Sequence, residues 1–153
     1  MESRDPENSG VIATVHPWET GRDNCPDWDM GLKNVEVPDE LESYTRRDTM
    51  HVENQQRPTQ IEYDKYMSIV HFGKKVGWDN NVLYNEGPFL MADPGIQFIL
   101  LRATKDLLQL ATHLKMGEDL NEINNWVDLL TTGSQWLWNC LLYTSPSPRD
   151  ALT

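Results

Sequence analysis

The chain has 153 residues, enough for one domain with a core of its own. A hydrophobic fraction of 39% and a charged fraction of 24% fit a soluble globular protein, and no apolar run reaches the roughly 18 residues of a membrane span. A formal net charge of −11 repels phosphates and anionic lipids, so neither nucleic acid nor a membrane is an expected partner.

The first ten residues, "MESRDPENSG", hold no basic stretch followed by an apolar one, so no signal peptide is read and a cytoplasmic location is the default expectation. Residues 1–58 show little periodicity and carry five of the nine prolines. They read as long loops with a short helix or two, and a loop region of that length in a compact domain is functional or disordered. The two cysteines, Cys25 and Cys140, stand 115 positions apart, without the spacing of a zinc site or a disulfide framework.

Helical text begins near residue 58. Thr59 and Glu62 have capping-box spacing, and Tyr63, Tyr66, Met67 and Val70 share one face. Gly73 or Gly77 ends this helix, and "WDNNVLYNEGPFLMA" reads as a linker. A second helix follows with Asp93 as cap and Pro94 in the first turn. Its apolar residues recur at 96, 100, 103, 107, 110 and 114, and Phe98, Ile99, Leu101 and Leu108 widen the stripe, as for a helix contacted on two sides. Gly117 is its expected stop. Asp119 and Glu122 repeat the capping-box pattern, and Leu120, Ile123, Val127, Leu130 and Leu137 mark a third helix to about Asn139. Two long helices joined by a short turn form an αα-hairpin, and the fold class is all-α. Trp126, Trp136 and Trp138 sit at helical spacing and are expected in the core. His51, His71 and His113 stand alone, as surface or helix-face residues. From about residue 140 the text becomes "LLYTSPSPRDALT", which resembles translated sequencing-adapter read-through; a natural disordered terminus is the alternative. The expected organisation is residues 1–139 as part of a domain and 140–153 as a non-native or disordered tail.

One stretch does not look like packing. "HPWETGRDNCPDWD", residues 16–29, puts four acids, an Arg, a His, a Cys and two Trp in fourteen positions. Trp faces stack on the flat C–H faces of sugar rings, while carboxylates, Arg and Asn pair with hydroxyls. Glycosidic cleavage needs one carboxylic acid to protonate the leaving oxygen and a second carboxylate, for inversion, to activate water. Gly21 permits a turn that aims Asp23. Other readings stand beside this one. Asp23 could cap a turn or pair with Arg22, Trp18 and Trp28 could anchor the loop in the core, and Asp29 could brace it. His16 with Asp27 and Asp29 lacks the spacing of a calcium loop, so no metal and no cofactor are expected.

The stretch resembles the general-acid loop of the (α/α)6-barrel glycoside hydrolases, in particular family 63 with its mannosylglycerate and glucosylglycerate hydrolases. Trp18, Glu19, Thr20, Gly21, Asp23, Asn24 and Pro26 stand where that group carries its W-E-S/T-G-x-D-x-S-P pattern; Cys25 departs from the usual Ser. "GPFLMADPGIQFILLRATKDLLQLATHL" looks like a barrel helix of the same group, and the likeness spans roughly residues 10 to 139. The resemblance implies a partial (α/α)6 barrel with a long N-terminal loop region and an inverting hydrolase of small α-glycosides. It implies Asp23 as general acid, with Trp18, Glu19, Gly21, Arg22 and Asn24 as sugar-binding candidates, and a small carbohydrate as partner. The family's base is a Glu further along; Glu86 and Glu118 match no base motif, so the chain is read as a fragment lacking it. A trehalase-like or α-glucosidase activity and a non-catalytic sugar-binding scaffold are the alternatives.

Overall fold

The structure, a computed structural model, describes residues 2–23, 25–50 and 57–144, with the backbone alone at 2 and 139–144. Five α-helices lie among the described residues: α1 (Asp29–Lys33), α2 (Gln60–Lys75), α3 (Asn80–Glu86), α4 (Pro94–His113) and α5 (Leu120–Thr144). Two-residue strands, β1 (Ala13–Thr14) and β2 (Met91–Ala92), lie where the chain passes between two compact units, residues 13–91 and residues 1–12 with 92–153.

In the unit of residues 13–91, α2 is the organising helix. The Thr59 and Glu62 pair forms the expected capping box: the Glu62 side chain accepts the Thr59 N–H at 2.7 Å. Tyr66 and Ile69 of α2 pack with Trp28, Leu32, Val35 and Phe89 in one buried cluster. The helix closes at Gly77 with two capping bonds, Gly77 N–H to the Lys74 carbonyl and Trp78 N–H to the Gly73 carbonyl. Gly73 is not the stop but a contact point, because the Trp78 ring lies where its Cβ would be. The expected linker after it holds α3, capped by Asp79, whose carboxylate accepts the N–H groups of Asn81 and Val82.

In the other unit α4 and α5 form the expected hairpin. Asp93 caps α4 by accepting the Ile96 N–H at 3.0 Å, with Pro94 behind it. The buried face of α4 is Gln97, Leu101, Thr104 and Ala111, offset from the expected stripe. Ile99, Leu107, Leu110 and Leu114 are exposed instead. Gln97 is fully buried, and its amide satisfies the backbone of the N-terminal segment: Oε1 accepts the Ile12 N–H, and Nε2 donates to the Gly10 carbonyl. Burying an amide is tolerable only when it is bonded this way. Gly133 of α5 faces Gly10 so closely that a Cβ at 133 would meet the Gly10 carbonyl.

Three further expectations are corrected here. The left-handed residue after α4 is Lys115 (φ 58), not Gly117, and the Met116 and Lys115 N–H groups bond back to the carbonyls of Ala111 and Thr112. Trp136 and Trp138 are more than half exposed, so they are not core residues. The α5 backbone runs to Thr144, past Asn139, since no helix-breaking residue occurs before Pro146. Residues 145–153, most of the expected tail, lie outside the described residues, as does His51. Among the described residues no helix is long and apolar enough to cross a membrane.

Candidate active site

The loop of residues 16–29 is built from two short 3-10 turns, Pro17–Thr20 and Pro26–Trp28, each with proline in its first turn. His16 starts the first. Its Nδ1 accepts the Trp18 N–H at 3.0 Å, which leaves Nε2–H to donate to the Tyr66 carbonyl at 3.1 Å. Both ring nitrogens therefore hold the loop. Burial pushes the His16 pKa below its usual value, against the opposing pull of the Tyr66 carbonyl, Glu19 and Asp23. The ring is neutral, as an accepting Nδ1 requires.

Thr20 closes the turn by donating its hydroxyl to the Pro17 carbonyl at 2.7 Å and accepting the Arg22 N–H at 3.1 Å. Gly21 then takes the left-handed conformation, φ 68, with open space where a Cβ would stand. Glycine is needed there for its dihedral and not for room.

Two aromatic side chains fix the backbone that follows. Trp28, 1% exposed, donates its indole N–H to the Arg22 carbonyl at 2.7 Å. Tyr66 donates its hydroxyl to the Asp23 carbonyl at 2.8 Å. Trp28 is thus the loop anchor, packed edge-on against Phe89. Burial raises the Tyr66 pKa to about 12, so its hydroxyl stays a donor at neutral pH.

The candidate side chains divide between bracing and exposure. Glu19 accepts the Val15 N–H at 2.9 Å and braces the start of the loop. Arg22 pairs with Asp27 at 3.0 Å and lies over the Trp28 ring, 5.1 Å from its centroid. Trp18 rests against His16, Tyr63 and Tyr66 at centroid distances of 4.6, 5.8 and 5.8 Å, with 37% of its surface exposed. Asp23 is exposed. Asn24 lies outside the described residues.

Gly21, Arg22, Asp23 and Cys25 line an open pocket of about 350 Å³ with Arg57 as the fifth wall. The Arg57 Nε is buried and has no hydrogen-bond partner among the described residues. Sequence reading missed Arg57 and Tyr66. Arg57 follows the end of the loop by 28 positions with no motif around it, and Tyr66 reads as one more apolar-face residue of α2.

A helical chain with an exposed carboxylate on a loop braced from behind, at the wall of an open pocket, fits the glycosidase loop that the sequence resembles. Comparison with known proteins makes the class specific. Residues 1–142 match the family described as "Mannosylglycerate hydrolase MGH1-like glycoside hydrolase domain", and the chain belongs to that family. It is 39% identical over 137 residues to the mannosylglycerate hydrolase of Thermus thermophilus, covering 90% of this chain and 32% of the relative. It is 42% identical over 124 residues to mannosylglycerate hydrolase MGH1 of Selaginella moellendorffii, covering 81% of this chain and 25% of the relative. The structure resembles the GH63 mannosylglycerate hydrolase from Thermus thermophilus in complex with Tris and D-glycerate, with TM-score 0.83, 39% identity, and coverage of 90% of this chain and 33% of that one. The same enzyme in complex with glucose gives a TM-score of 0.80 at 39% identity, over 90% of this chain and 32% of that one. The chain spans a quarter to a third of the length of these relatives. Its helices are those of an (α/α)-barrel glycosidase.

Proposed function

We propose that this stretch is the general-acid portion of an inverting hydrolase that cleaves a sugar from a glycerate-type aglycone, with Asp23 as the proton donor. The observation that carries the reading is Asp23 itself. It stands exposed in a pocket wall, on a loop whose carbonyls at 22 and 23 are held by Trp28 and Tyr66. A general acid needs a fixed position near the leaving oxygen, and a braced backbone supplies it. The partner carboxylate that activates water comes from the rest of the full-length enzyme, about 6.5–9.5 Å from Asp23 as inversion requires.

The pocket favours an anionic aglycone over a neutral disaccharide. A chain of net charge −11 repels carboxylates overall, yet two arginines, Arg22 and Arg57, line this pocket. The Arg57 guanidinium supplies a positive charge at the wall of that pocket. Relatives named mannosylglycerate hydrolases, and one solved with D-glycerate bound, point the same way.

The test uses a full-length enzyme carrying this stretch, given mannosylglycerate, glucosylglycerate and trehalose in turn. The reading expects hydrolysis of a glycerate-linked sugar, with NMR showing release of the inverted anomer. Replacing Asp23 by Ala should then lower the rate about 10²–10⁴-fold. Preference for trehalose would make it a trehalase-like enzyme, and release of the retained anomer would remove the inverting mechanism.

A further inference from the structure

Tyr66 lies on α2, outside the acid loop, yet it is tied to both ends of that loop's first half. Its carbonyl receives the His16 Nε2–H at 3.1 Å, its hydroxyl donates to the Asp23 carbonyl at 2.8 Å, and its ring packs against Trp18. The residue is 3% exposed and sits in the same buried cluster as Trp28 and Ile69. Between the two tied points runs the whole of "HPWETGRD", including the left-handed turn at Gly21. The Thr20 hydroxyl, bonded to the Pro17 carbonyl and to the Arg22 N–H, holds the near side of that turn, and the far side at Asp23 is held by the Tyr66 hydroxyl.

We infer that Tyr66 is a positioning residue for Asp23: its hydroxyl sets the height of the Asp23 backbone, and so of the carboxyl, above the pocket. The inference rests on the reading of Asp23 as the acid. A neutral hydroxyl-to-carbonyl bond is what the task needs, since it fixes the backbone without competing for the Asp23 carboxyl. Trp28 performs the neighbouring tie at the Arg22 carbonyl. The two bonds hold consecutive peptide groups, which leaves the Asp23 side chain as the mobile part.

Cys25 reports on the loop directly. It is partly buried against the same cluster, and its thiol donates to Asp27 at 3.1 Å. In a Cys140→Ser background it is the only thiol, because the chain has two cysteines. Its reaction with 4,4′-dithiodipyridine then reports how firmly the loop is held around it. Tyr66→Phe removes one hydrogen bond and keeps the ring, so labelling should speed up roughly three- to tenfold, the range one such bond is worth. Ile69→Val, a trim of the same core on the same helix, is the control for general loosening and should not speed labelling at a matched melting temperature. In a full-length enzyme carrying the stretch, Tyr66→Phe should lower kcat by a similar factor and leave KM unchanged.

Labelling of Tyr66→Phe at the parent rate, or at the rate of Ile69→Val, would overturn the tie. Faster labelling with unchanged kcat would overturn the positioning role. Full activity in Asp23→Ala would instead overturn the acid assignment, while the labelling result would still stand on its own.

Discussion

His16 sits in the loop as a neutral ring, and that state has a pH signature. Its folded pKa lies below the usual 6.5, chiefly through burial, while the unfolded chain takes up a proton at about the usual value. Below about pH 6.5 the unfolded state therefore binds more protons, and stability falls with pH through that window; above it the contribution is complete. Protonation would also cost the Nδ1 acceptor that holds the Trp18 N–H. The expected outcome is a drop in urea midpoint between pH 7 and 5.5 that is smaller in His16→Asn than in the parent. His51, His71 and His113 are present in both proteins, so an equal drop in the two would show that His16 is not the source. Gly21 gives a second prediction at this scale. Gly21→Ala meets no neighbouring atom but must hold φ near 68, a conformation that costs an L-residue about 1–2 kcal/mol. Chemical denaturation should show a loss of that order.

At the scale of elements, helix starts were the most legible part of the sequence. Thr59, Asp79 and Asp93 each place a side-chain oxygen over a backbone N–H that nothing else can satisfy, and two of the three were readable before the structure. The helix α3 behind Asp79 was missed because its seven residues, "NNVLYNE", are too short to show a period and three Asn argue for a loop. The α4 stripe was misplaced for another reason. Its buried face includes Gln97 and Thr104, which periodicity scores as polar, whereas Ile99, Leu107 and Leu110 are left outside, as is Leu114 at the C-cap. Gln97→Leu should therefore destabilise, although it adds hydrophobicity, because it strips partners from the buried Gly10 carbonyl and Ile12 N–H at about 1–3 kcal/mol each. Lys115→Gly should do the opposite. It relieves a left-handed lysine at the end of α4 and should raise the melting temperature by an amount equivalent to a few tenths to about 1 kcal/mol. The loop was legible through its residue types as a candidate site, with Trp28 as an anchor, but Tyr66 and Arg57 were not: they act through a backbone contact and a pocket wall that no spacing rule encodes.

For the whole molecule, the chain spans a quarter to a third of its relatives' length and carries large apolar side chains in the open. Ile99, Leu110, Leu114, Trp136 and Trp138 are each more than half exposed. Apolar surface on that scale binds hydrophobic dyes and promotes association in spite of a net charge of −11. The isolated chain should enhance the fluorescence of an anilinonaphthalene dye and shift to larger species with concentration in sedimentation. A dark, monomeric solution would contradict this. Among the described residues the Asp23 pocket is lined by no second carboxylate, so the proposed mechanism expects the chain alone to hydrolyse no glycoside.

The most direct test of the account compares two substrates in a full-length enzyme carrying the stretch, with and without Asp23→Ala. The natural glycoside needs a proton on its leaving oxygen, whereas a glycosyl fluoride departs without one. If Asp23 is the general acid, the substitution should lower hydrolysis of the natural glycoside about 10²–10⁴-fold and that of the fluoride far less. Equal losses on the two substrates, or near-normal turnover of the natural one, would contradict that role for Asp23 and leave Glu19 to be tested in its place.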